Sequence, residues 1–373
     1  MKNIFKITKE DSTSRARKGE LTLAHGVVKT PAFMPVGTNG TVKGIHHSTV
    51  QEIGYNLILG NTYHLYLRPG IEVLEAYGGL HNFSAWSGNI LTDSGGFQIF
   101  SLAKLRKIRE EGVEFQSHID GSRHHLTPEK VVDIQKVIGS DILMSLDVCT
   151  PPEITYRKAQ EAMAITHRWA ERSLKQWQSY ENFKGHLFGI VQGNFYEELR
   201  KESAEFIASL DFPGLAIGGL SVGEEPDTFV HFLNYTSQYL PTAKVRYVMG
   251  IGSPDYILEA VENGIDLFDC VLATRIARNG AVFSDDGLIN LKKAIHEKDT
   301  NAIEDGCPCH ACTTYSKGYL RHLFKTGEML GGMLATEHNL TYLYRLMQRI
   351  HKAIDEDNFN NFKKAYLERY YGK

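Results

Sequence analysis

The chain has 373 residues, of which 42% are hydrophobic and 23% are charged, and these values are ordinary for a globular protein. That length suits one large α/β barrel or two smaller domains. The formal net charge is -3, which excludes a protein that is basic overall, so nucleic-acid binding would need a local basic patch. The N-terminal segment has no apolar run like that of a signal sequence, and no stretch approaches the ~18 apolar residues of a membrane helix. We therefore expect a cytoplasmic protein without a membrane segment.

Short apolar runs alternate with helical patterns along the chain, which is typical of βα units around a parallel sheet. The runs that read as strands are Pro31–Gly37, Asn56–Asn61, Asn89–Asp93, Asp141–Asp147, His186–Gln192, Gly214–Gly219, Val245–Gly250 and Ile265–Asp269. Helix starts fit between them, since Thr127 and Ser253 are each followed by a proline, and Gly264 is placed to end the second helix. The pattern predicts a (β/α)8 TIM barrel. A doubly wound open sheet is the alternative, but no phosphate-binding glycine fingerprint follows the first strand.

Polar residues stand where the predicted strands end. Three are aspartates, Asp93, Asp147 and Asp269, and two are amides, Asn61 and Gln192. In a closed barrel the carboxyl ends of the strands converge on one mouth, where barrel active sites lie. A single aspartate at a strand end is most often a turn or helix-cap residue. Several polar strand ends together predict side chains aimed at a common ligand.

The loops after two of these aspartates carry further signals. Asp93 precedes Ser94 and a pair of glycines, which let backbone N–H groups approach a ligand. Asp269 precedes Arg275 and Arg278, so a carboxylate stands beside a basic loop. This combination predicts a nucleophile or base that acts on a phosphate-bearing substrate, although two such arginines alone are equally typical of a solvated loop.

Longer motifs stand in a distinctive order along the chain. They are "GNTYHLYLRPG" (Gly60–Gly70), "TDSGGFQIFSL" (Thr92–Leu102), "LDVCTPP" (Leu146–Pro152), "GIVQGN" (Gly189–Asn194), "AIGGLSVGE" (Ala216–Glu224), "YVMGIGSP" (Tyr247–Pro254), "DLFDCVLATRIARNG" (Asp266–Gly280) and "CPCHAC" (Cys307–Cys312). In these motifs the chain resembles the tRNA-guanine transglycosylases, also called queuine tRNA-ribosyltransferases. The resemblance runs from about Pro31 to Met347, which is nearly the whole chain, and it is closest to the bacterial type.

The resemblance implies a glycosyltransferase of tRNA processing and queuosine biosynthesis. Such an enzyme exchanges guanine at the wobble position of GUN anticodons for a 7-deazaguanine. Asp269 matches the nucleophile that bonds to C1′ of the ribose, and Asp93 matches the general acid and base. The chemistry agrees, because retention at a glycosidic bond requires two displacements and therefore a nucleophile and a proton carrier. The other implied site residues contact the base or position these carboxylates: Asn61, Ser94, Phe97, Asp147, Cys149, Gln192, Gly219, Leu220, Val222, Tyr247 and Met249.

Contacts to the base are also implied by the resemblance. Asp147 and Gln192 match side chains that hold the guanine edge, and Gly219 and Leu220 match backbone contacts to it. A guanine edge presents N–H donors beside the acceptor O6, so it needs both an acceptor and donors. The ring would lie between Phe97 and Met249, with Tyr247 beside them, and a thioether or aromatic face suits a base. Asn61 matches a residue that positions Asp93.

Some positions bear on the substrates. Val222 and Cys149 resemble the bacterial pattern, whereas queuine-using eukaryotic subunits carry a glycine in place of the valine. We therefore expect preQ1, 7-aminomethyl-7-deazaguanine, as the incoming base. Thr274, Arg275 and Arg278 are the expected tRNA contacts. The neighbouring Ala273 and Ile276 depart from the usual bacterial residues, and Phe97 replaces a tyrosine of some members. These departures affect the geometry of loops and leave the reaction class unchanged.

The cluster Cys307, Cys309 and Cys312 predicts a metal site, because clustered thiolates in a cytoplasmic protein suit zinc. The fourth ligand could be His310, His322 or His338. The resemblance selects His338, which we expect to begin a helix. Such a Cys3His site has no open position, so it would be structural and hold one Zn²⁺ per subunit.

The predicted organisation has three parts: residues 1–284 form the barrel, 285–335 a zinc-binding insertion, and 336–373 the last barrel helix and a C-terminal helical segment. Tyr315, Tyr319 and His322 share a helical face, which periodicity alone would equally place in a core. The resemblance places this face in a homodimer contact with Phe83 of the second subunit.

Three other functions are compatible with parts of the pattern. A barrel hydrolase could use the same aspartate pair with water as acceptor. A non-catalytic tRNA-binding partner subunit would lack that pair, which is present here. A zinc hydrolase would need an open coordination position. The partners expected from the preferred function are tRNA, guanine, preQ1 and a second copy of the chain.

Overall fold

The structure is a computed structural model that describes residues 4–102 and 106–372. Strands in these ranges are β1 (Phe5–Glu10), β2 (Arg17–Leu23), β3 (Gly26–Thr30), β4 (Ala32–Pro35), β5 (Leu57–Gly60), β6 (Asn89–Thr92), β7 (Arg106–Ile108), β8 (Val113–Gln116), β9 (Arg123–Leu126), β10 (Ile142–Met144), β11 (His186–Val191), β12 (Gly214–Ile217), β13 (Val245–Val248), β14 (Leu267–Cys270), β15 (Ala281–Ser284) and β16 (Gly287–Asn290).

The helices of the same ranges alternate with the barrel strands and dominate the C-terminal part. They are α1 (His47–Ile53), α2 (Thr62–Leu65), α3 (Ile71–Ala76), α4 (Leu80–Ser84), α5 (Gly96–Leu102), α6 (Pro128–Ile138), α7 (Tyr156–Gln178), α8 (Glu197–Ser209), α9 (Pro226–Ser237), α10 (Pro254–Glu262), α11 (Leu272–Arg278), α12 (His310–Thr314), α13 (Lys317–Thr326), α14 (Met329–Asp355) and α15 (Phe359–Tyr370). A π-helical turn spans Tyr66–Gly70 and a 3₁₀ turn spans Ala294–His296.

Eight parallel strands form the barrel in the order β4-β14-β13-β12-β11-β10-β6-β5. The first and last of these meet through a parallel bridge between Val36 and Leu59, and the N–H of Gly37 donates to the carbonyl of Leu59 at 2.7 Å. These contacts bring the ends of the sheet together. Each strand overlaps one of the predicted runs, so the predicted (β/α)8 barrel is confirmed.

Burial explains why the strands read as continuous apolar runs. The four residues of β5, β6, β12 and β13 are all buried, as expected where one face lines the barrel interior and the other packs under helices. Thr127 caps α6 by accepting the N–H of Lys130 at 3.2 Å, and Pro254 begins α10. Gly264 follows the end of α10 with a φ of +76°, so both predicted helix starts and this stop are confirmed.

Two three-stranded antiparallel sheets add to the barrel, and the sequence did not predict them. The sheet β1-β2-β3 closes the amino-terminal end of the barrel, because Phe5, Leu21 and Val28 pack in one core with barrel residues such as Leu57 and Ile142. The sheet β7-β8-β9 follows α5 beside the barrel mouth. Both contain many exposed polar residues, so they lack the apolar runs that mark barrel strands.

The C-terminal part packs around α14. The hairpin β15-β16 leads into the segment that carries the cysteines, and α14 then runs from Met329 to Asp355. His338 was expected to begin this helix, and that expectation was wrong, because the helix begins nine residues earlier. The start of the helix is not visible in the sequence, because Gly331 and Gly332 are poor helix formers. A Cβ on Gly331 would lie 3.1 Å from Leu323 of α13, so glycine permits the close packing there.

The predicted domain limits divide the hairpin β15-β16 and the helix α14. Residue 285 lies in the turn of β15-β16 and residue 335 lies within α14, and the three-part division stays a prediction. None of the helices in residues 4–102 and 106–372 combines the length and apolar character needed to cross a membrane.

Candidate active site

Polar side chains gather at the carboxyl ends of the barrel strands. Asn61 follows β5, Asp93 follows β6, Asp147 lies beyond β10, Gln192 follows β11, and Asp269 is the third residue of β14. The barrel topology thus places all five at one mouth, as the sequence indicated.

Asp93 is held by the segment that begins α2. Its Oδ1 accepts the N–H of Thr62 at 2.9 Å, and its Oδ2 accepts the side-chain amide of Asn61. Asn61 is itself oriented by the N–H of His64, which donates to its Oδ1 at 3.0 Å. Burial raises the pKa of Asp93 to about 7; the bond from Thr62 opposes this shift and the charge of Asp269 adds to it. A carboxyl group with a pKa near neutrality can both donate and accept a proton.

Asp269 has a different environment on the other side of the mouth. Its Oδ1 accepts the hydroxyl of Tyr247 at 2.5 Å and the N–H of Gly250 at 2.9 Å. Burial raises the pKa of Asp269, while these two hydrogen bonds stabilise its ionised form. Within the described ranges no protein group donates to Oδ2, so that oxygen is available to attack an electrophile.

Asp147 and Gln192 form a bonded pair in the pocket. The amide of Gln192 donates to Oδ2 of Asp147 at 2.7 Å, and the hydroxyl of Ser94 donates to Oδ1 at 3.0 Å. The thiol of Cys149 lies 3.6 Å from Oδ2. Gly96 allows the loop after Asp93 to pass close by, since a Cβ there would lie 2.9 Å from Oδ1 of Asp147. The pair offers a carboxylate acceptor and an amide beside it, which is what a base edge requires.

The residues expected around the ring and the RNA are more dispersed. Phe97 is 49% exposed on α5, and Met249 is half-buried after β13. Arg275 and Arg278 are exposed on α11. Thr274 is buried, and its hydroxyl donates to the carbonyl of Val271 at 3.3 Å. The stacking and RNA-binding roles of these residues stay predictions.

A tight turn follows β12 at the mouth of the barrel. The N–H groups of Ser221 and Val222 donate to the carboxylate of Glu224 at 2.5 and 2.8 Å, which closes the turn after β12. The sequence did not predict Thr62, which donates to Asp93, or Arg200, whose guanidinium donates to the carbonyls of Gly218 and Gly219. Thr62 could have been found, because it follows Asn61 at a strand end. No sequence feature distinguishes Arg200 from the other charged residues of its helix.

Cys307, Cys309, Cys312 and His338 come together as a cluster that could bind a metal ion. Their ligand atoms all lie within 4.8 Å of one another, and Nδ1 of His338 is 3.2 to 3.8 Å from each sulfur. Nε2 of His338 bonds to the carbonyl of Phe283 at 2.8 Å, an outer contact that fixes the orientation of a metal-binding imidazole. His310 and His322 are not part of the cluster. The donor set therefore fits a tetrahedral ion with no open position.

A second group of possible ligands lies at the opposite end of the barrel. Asp141 accepts from His25 at 2.7 Å and lies 3.3 Å from Nε2 of His81. The two imidazole rings are stacked, with centroids 3.8 Å apart and an angle of 20° between planes. Nitrogen lone pairs of nearly parallel rings do not converge on one ion, so these contacts are a hydrogen-bond network.

The aromatic surface near the cluster is partly exposed. Tyr315 and Tyr319 stack with ring centroids 5.2 Å apart, and the ring of His322 lies 6.4 Å from Tyr319. Tyr319 is 41% exposed, and Phe83, on α4, is 36% exposed. These side chains are accessible to a partner.

Fold and site together define a barrel enzyme with a pair of carboxylates at its mouth and a Cys3His cluster near its C-terminus. Comparison with known proteins identifies the family. The profile described as "Queuine tRNA-ribosyltransferase" matches residues 11–372, and the chain belongs to this family. The predicted family and the predicted class of enzyme, a pentosyltransferase, are confirmed.

Bacterial relatives named queuine tRNA-ribosyltransferase are similar over almost their full length. The protein of Borrelia hermsii is 53% identical over 368 residues, covering 98% of both chains. That of Thermoanaerobacter sp. strain X514 is 52% identical, covering 98% of this chain and 97% of its own. That of Treponema denticola is 52% identical over 370 residues, covering 99% of this chain and 98% of its own.

The raised pKa of Asp93 predicts a pH-dependent contribution to stability. Because its pKa is about 7 in the folded protein and 3.8 in the unfolded chain, the folded state binds the proton more tightly. The part of the burial cost that depends on pH is therefore absent below about pH 4, grows as the pH rises, and reaches its full size above about pH 7. The melting temperature of Asp93→Asn relative to the wild type should therefore rise from pH 5 to about pH 7 and level off toward pH 8. A constant difference over that range would contradict the assignment.

Proposed function

We propose that this protein exchanges guanine at the wobble position of GUN anticodons for preQ1, through a covalent bond between Asp269 and the ribose. The observation that carries the proposal is the contrast between the two carboxylates. Among the described residues no group donates to Oδ2 of Asp269, whereas Asp93 is bonded through both oxygens and has a pKa of about 7. One group is suited to attack, and the other to proton transfer.

The first displacement removes guanine. Oδ2 of Asp269 attacks C1′ of the ribose, a bond forms between them, and the C1′–N9 bond breaks with its electrons passing to the base. Asp93 donates its proton to the departing guanine and becomes ionised. Tyr247 and Gly250 hold the nucleophile through its other oxygen and so orient Oδ2 toward the sugar.

The second displacement installs the new base. Ionised Asp93 takes the N9 proton of the incoming base, N9 attacks C1′, and the bond to Asp269 breaks. Both carboxyl groups then return to their starting states, and the ribose keeps its configuration. Asp147 and Gln192 would hold the edge of each base, with Gly219 and Leu220 supplying backbone N–H groups. Phe97 and Met249 would cover its faces. The reaction needs the target nucleotide to leave its stack.

The identity of the incoming base can be tested by exchange. Wild-type protein should replace labelled guanine in tRNA with preQ1 and should not use queuine, because the side chain of Val222 would occupy the space that the cyclopentenediol requires. Val222→Gly should gain queuine insertion while it retains preQ1 insertion. Release of label should follow base concentration and produce no abasic sites. Efficient queuine use by the wild type without a response to preQ1, or abasic sites without exchange, would contradict the proposal.

We also propose that the Cys3His cluster holds one structural Zn²⁺. The ion would stabilise the segment between β16 and α14, and the chemistry would remain with the barrel carboxylates. Arg275 and Arg278, exposed on α11 near Asp269, are the proposed contacts to the tRNA backbone, with Thr274 beside them. The protein would act in the cytoplasm, where its tRNA substrate is found.

The exposed aromatic surface is proposed to form a homodimer contact. Tyr315, Tyr319 and His322 of one subunit would pack against Phe83 of the other. Tyr319→Ala should shift the native mass from dimer to monomer at low protein concentration. Tyr156→Ala is a matched control, because that tyrosine is 42% exposed on α7 and lies outside the proposed contact. An unchanged mass for Tyr319→Ala, or an equal shift for both variants, would contradict the contact.

A further inference from the structure

Arg200 is fully buried in α8, behind the loop that follows β12. Its side chain is 0% exposed, and among residues 4–102 and 106–372 no carboxylate oxygen lies within 4.0 Å of its guanidinium. Burial lowers the pKa of Arg200 to about 9, while the charge of Glu224 opposes this shift, so the side chain remains cationic at neutral pH. An unpaired buried charge costs free energy unless its hydrogen-bonding groups are satisfied.

The donors of Arg200 are satisfied by backbone carbonyls. Nε donates to Asn194 at 2.6 Å, Nη1 to Gly218 at 2.7 Å and Nη2 to Gly219 at 3.1 Å. Asn194 in turn donates through its amide to the hydroxyl of Thr150 at 3.0 Å. One guanidinium thus joins the loops after β11 and β12, and Asn194 extends the connection to the loop after β10.

The direction of these carbonyls determines the direction of the next N–H groups. In a trans peptide the C=O and N–H bonds point to opposite sides. Because the carbonyls of Gly218 and Gly219 point at Arg200, the N–H groups of Gly219 and Leu220 point away from it. Arg200 lies in the helical layer, so the opposite side is the barrel mouth. Within the described ranges neither N–H has a protein acceptor.

The same helix also fixes the neighbouring strand end. The hydroxyl of Ser203 accepts the N–H of Gln192 at 3.0 Å, and Gln192 bonds to Asp147. Gly219 has a φ of +68° and no room for a side chain, since a Cβ would lie 2.6 Å from Oε1 of Gln192. The backbone N–H groups aimed by Arg200 therefore lie next to the Asp147–Gln192 pair.

We propose that Arg200 is a positioning residue that makes the pocket selective for a 6-oxo purine. It aims the N–H groups of Gly219 and Leu220 at the oxo group, while the carboxylate of Asp147 accepts from the adjacent N–H donors of the base. A cation behind the two carbonyls also polarises both peptides and strengthens their N–H groups as donors. This inference rests on the proposed function, because it requires a guanine-like base in this pocket.

The test compares binding of guanine and 6-thioguanine at pH 7. The two bases share the N1–H and 2-amino donors, but sulfur is a weaker acceptor than oxygen. Arg200→Met should raise the Kd of guanine about 10- to 100-fold, because two pocket donors lose their orientation. The ratio of the Kd for 6-thioguanine to the Kd for guanine should fall toward one in this variant. The KM for tRNA should stay unchanged. Arg200→Lys keeps the charge but not the three-way contact, and should recover part of the affinity.

Arg17→Met is the matched control. Arg17 is 3% exposed and, besides its ion pair with Asp266, also donates to backbone carbonyls, those of Thr242 and Lys244, at the amino-terminal end of the barrel. This variant should lose thermal stability and keep wild-type affinity and preference. If Arg200→Met does not fold, the same comparison is made with Arg200→Lys. That variant should show a raised Kd for guanine and a reduced preference for guanine over 6-thioguanine.

A folded Arg200 variant with wild-type affinity and wild-type preference would overturn the inference. Equal losses of affinity for both bases would also overturn it, because that result indicates a general loss of the pocket. Failure of the wild type to bind guanine or exchange it would contradict the proposed function itself. The wild-type measurement therefore distinguishes failure of this inference from failure of the proposed function.

Discussion

Asp269→Asn is expected to lower the rate of base exchange by ~10⁴-fold or more, the size of effect seen when a catalytic nucleophile is removed. The amide keeps the shape of the side chain and can still contact Tyr247, but it has no carboxylate oxygen to bond to C1′. The rate is measured as release of labelled guanine from tRNA in the presence of preQ1. Folding and guanine binding should remain close to wild type.

Two variants distinguish loss of the nucleophile from general damage. Asp227→Asn changes an exposed carboxylate in the first turn of α9 and should exchange at the wild-type rate. Tyr247→Phe removes one of the two donors to Oδ1 and should lower the rate much less than Asp269→Asn. If Asp269→Asn exchanged bases at more than about a hundredth of the wild-type rate, Asp269 would not be the nucleophile.

His338→Ala is expected to remove the metal and destabilise the C-terminal part. The variant loses one of the cluster's ligands, and structural zinc contributes directly to folding free energy. Zinc content after dialysis should fall from one ion per chain to about a tenth of an ion per chain. The melting temperature should fall as well. The side chains around the cluster form a small core of their own that includes Val282, Leu291 and Leu320, so this region should lose protection from hydrogen exchange first.

His351→Ala is the matched control for the metal site. His351 lies on the same helix, is 9% exposed, and bonds through Nε2 to the carbonyl of Pro31 at 2.8 Å, much as His338 bonds to Phe283. It lies outside the cluster, so His351→Ala should lose stability and retain zinc. Full zinc content in His338→Ala, or equal zinc loss in both variants, would contradict the assignment of His338 as a ligand.

The barrel could be predicted because its strands are buried on both faces. A run such as Leu57–Gly60 is apolar throughout and stops at a polar residue, and both features are local. The strand Phe5–Glu10 alternates between buried and exposed residues and contains two lysines, so it does not stand out among solvated segments. The beginning of α14 was missed because Gly331 and Gly332 are poor helix formers, and close packing against α13 overrides that preference.

The site could be predicted where a motif or a strand end carries the chemistry. Asp93 and Asp269 met both conditions, and the structure places them at one mouth. The pKa of Asp93 could not be predicted, because it depends on burial and on the charge of Asp269. Arg200 could not be predicted either. A charged residue in an amphipathic helix is normally solvated, and only the packing of α8 on the barrel shows that its guanidinium faces backbone carbonyls.

The central claim is the covalent intermediate, and mass spectrometry of a trapped adduct tests it most directly. Wild-type protein is incubated with tRNA and 9-deazaguanine, denatured and digested, and the ribose-bearing peptide is sequenced. The account predicts an adduct on Asp269 in the wild type and in Tyr247→Phe, and no adduct in Asp269→Asn. An adduct on Asp93, or an undiminished adduct in Asp269→Asn, would contradict it.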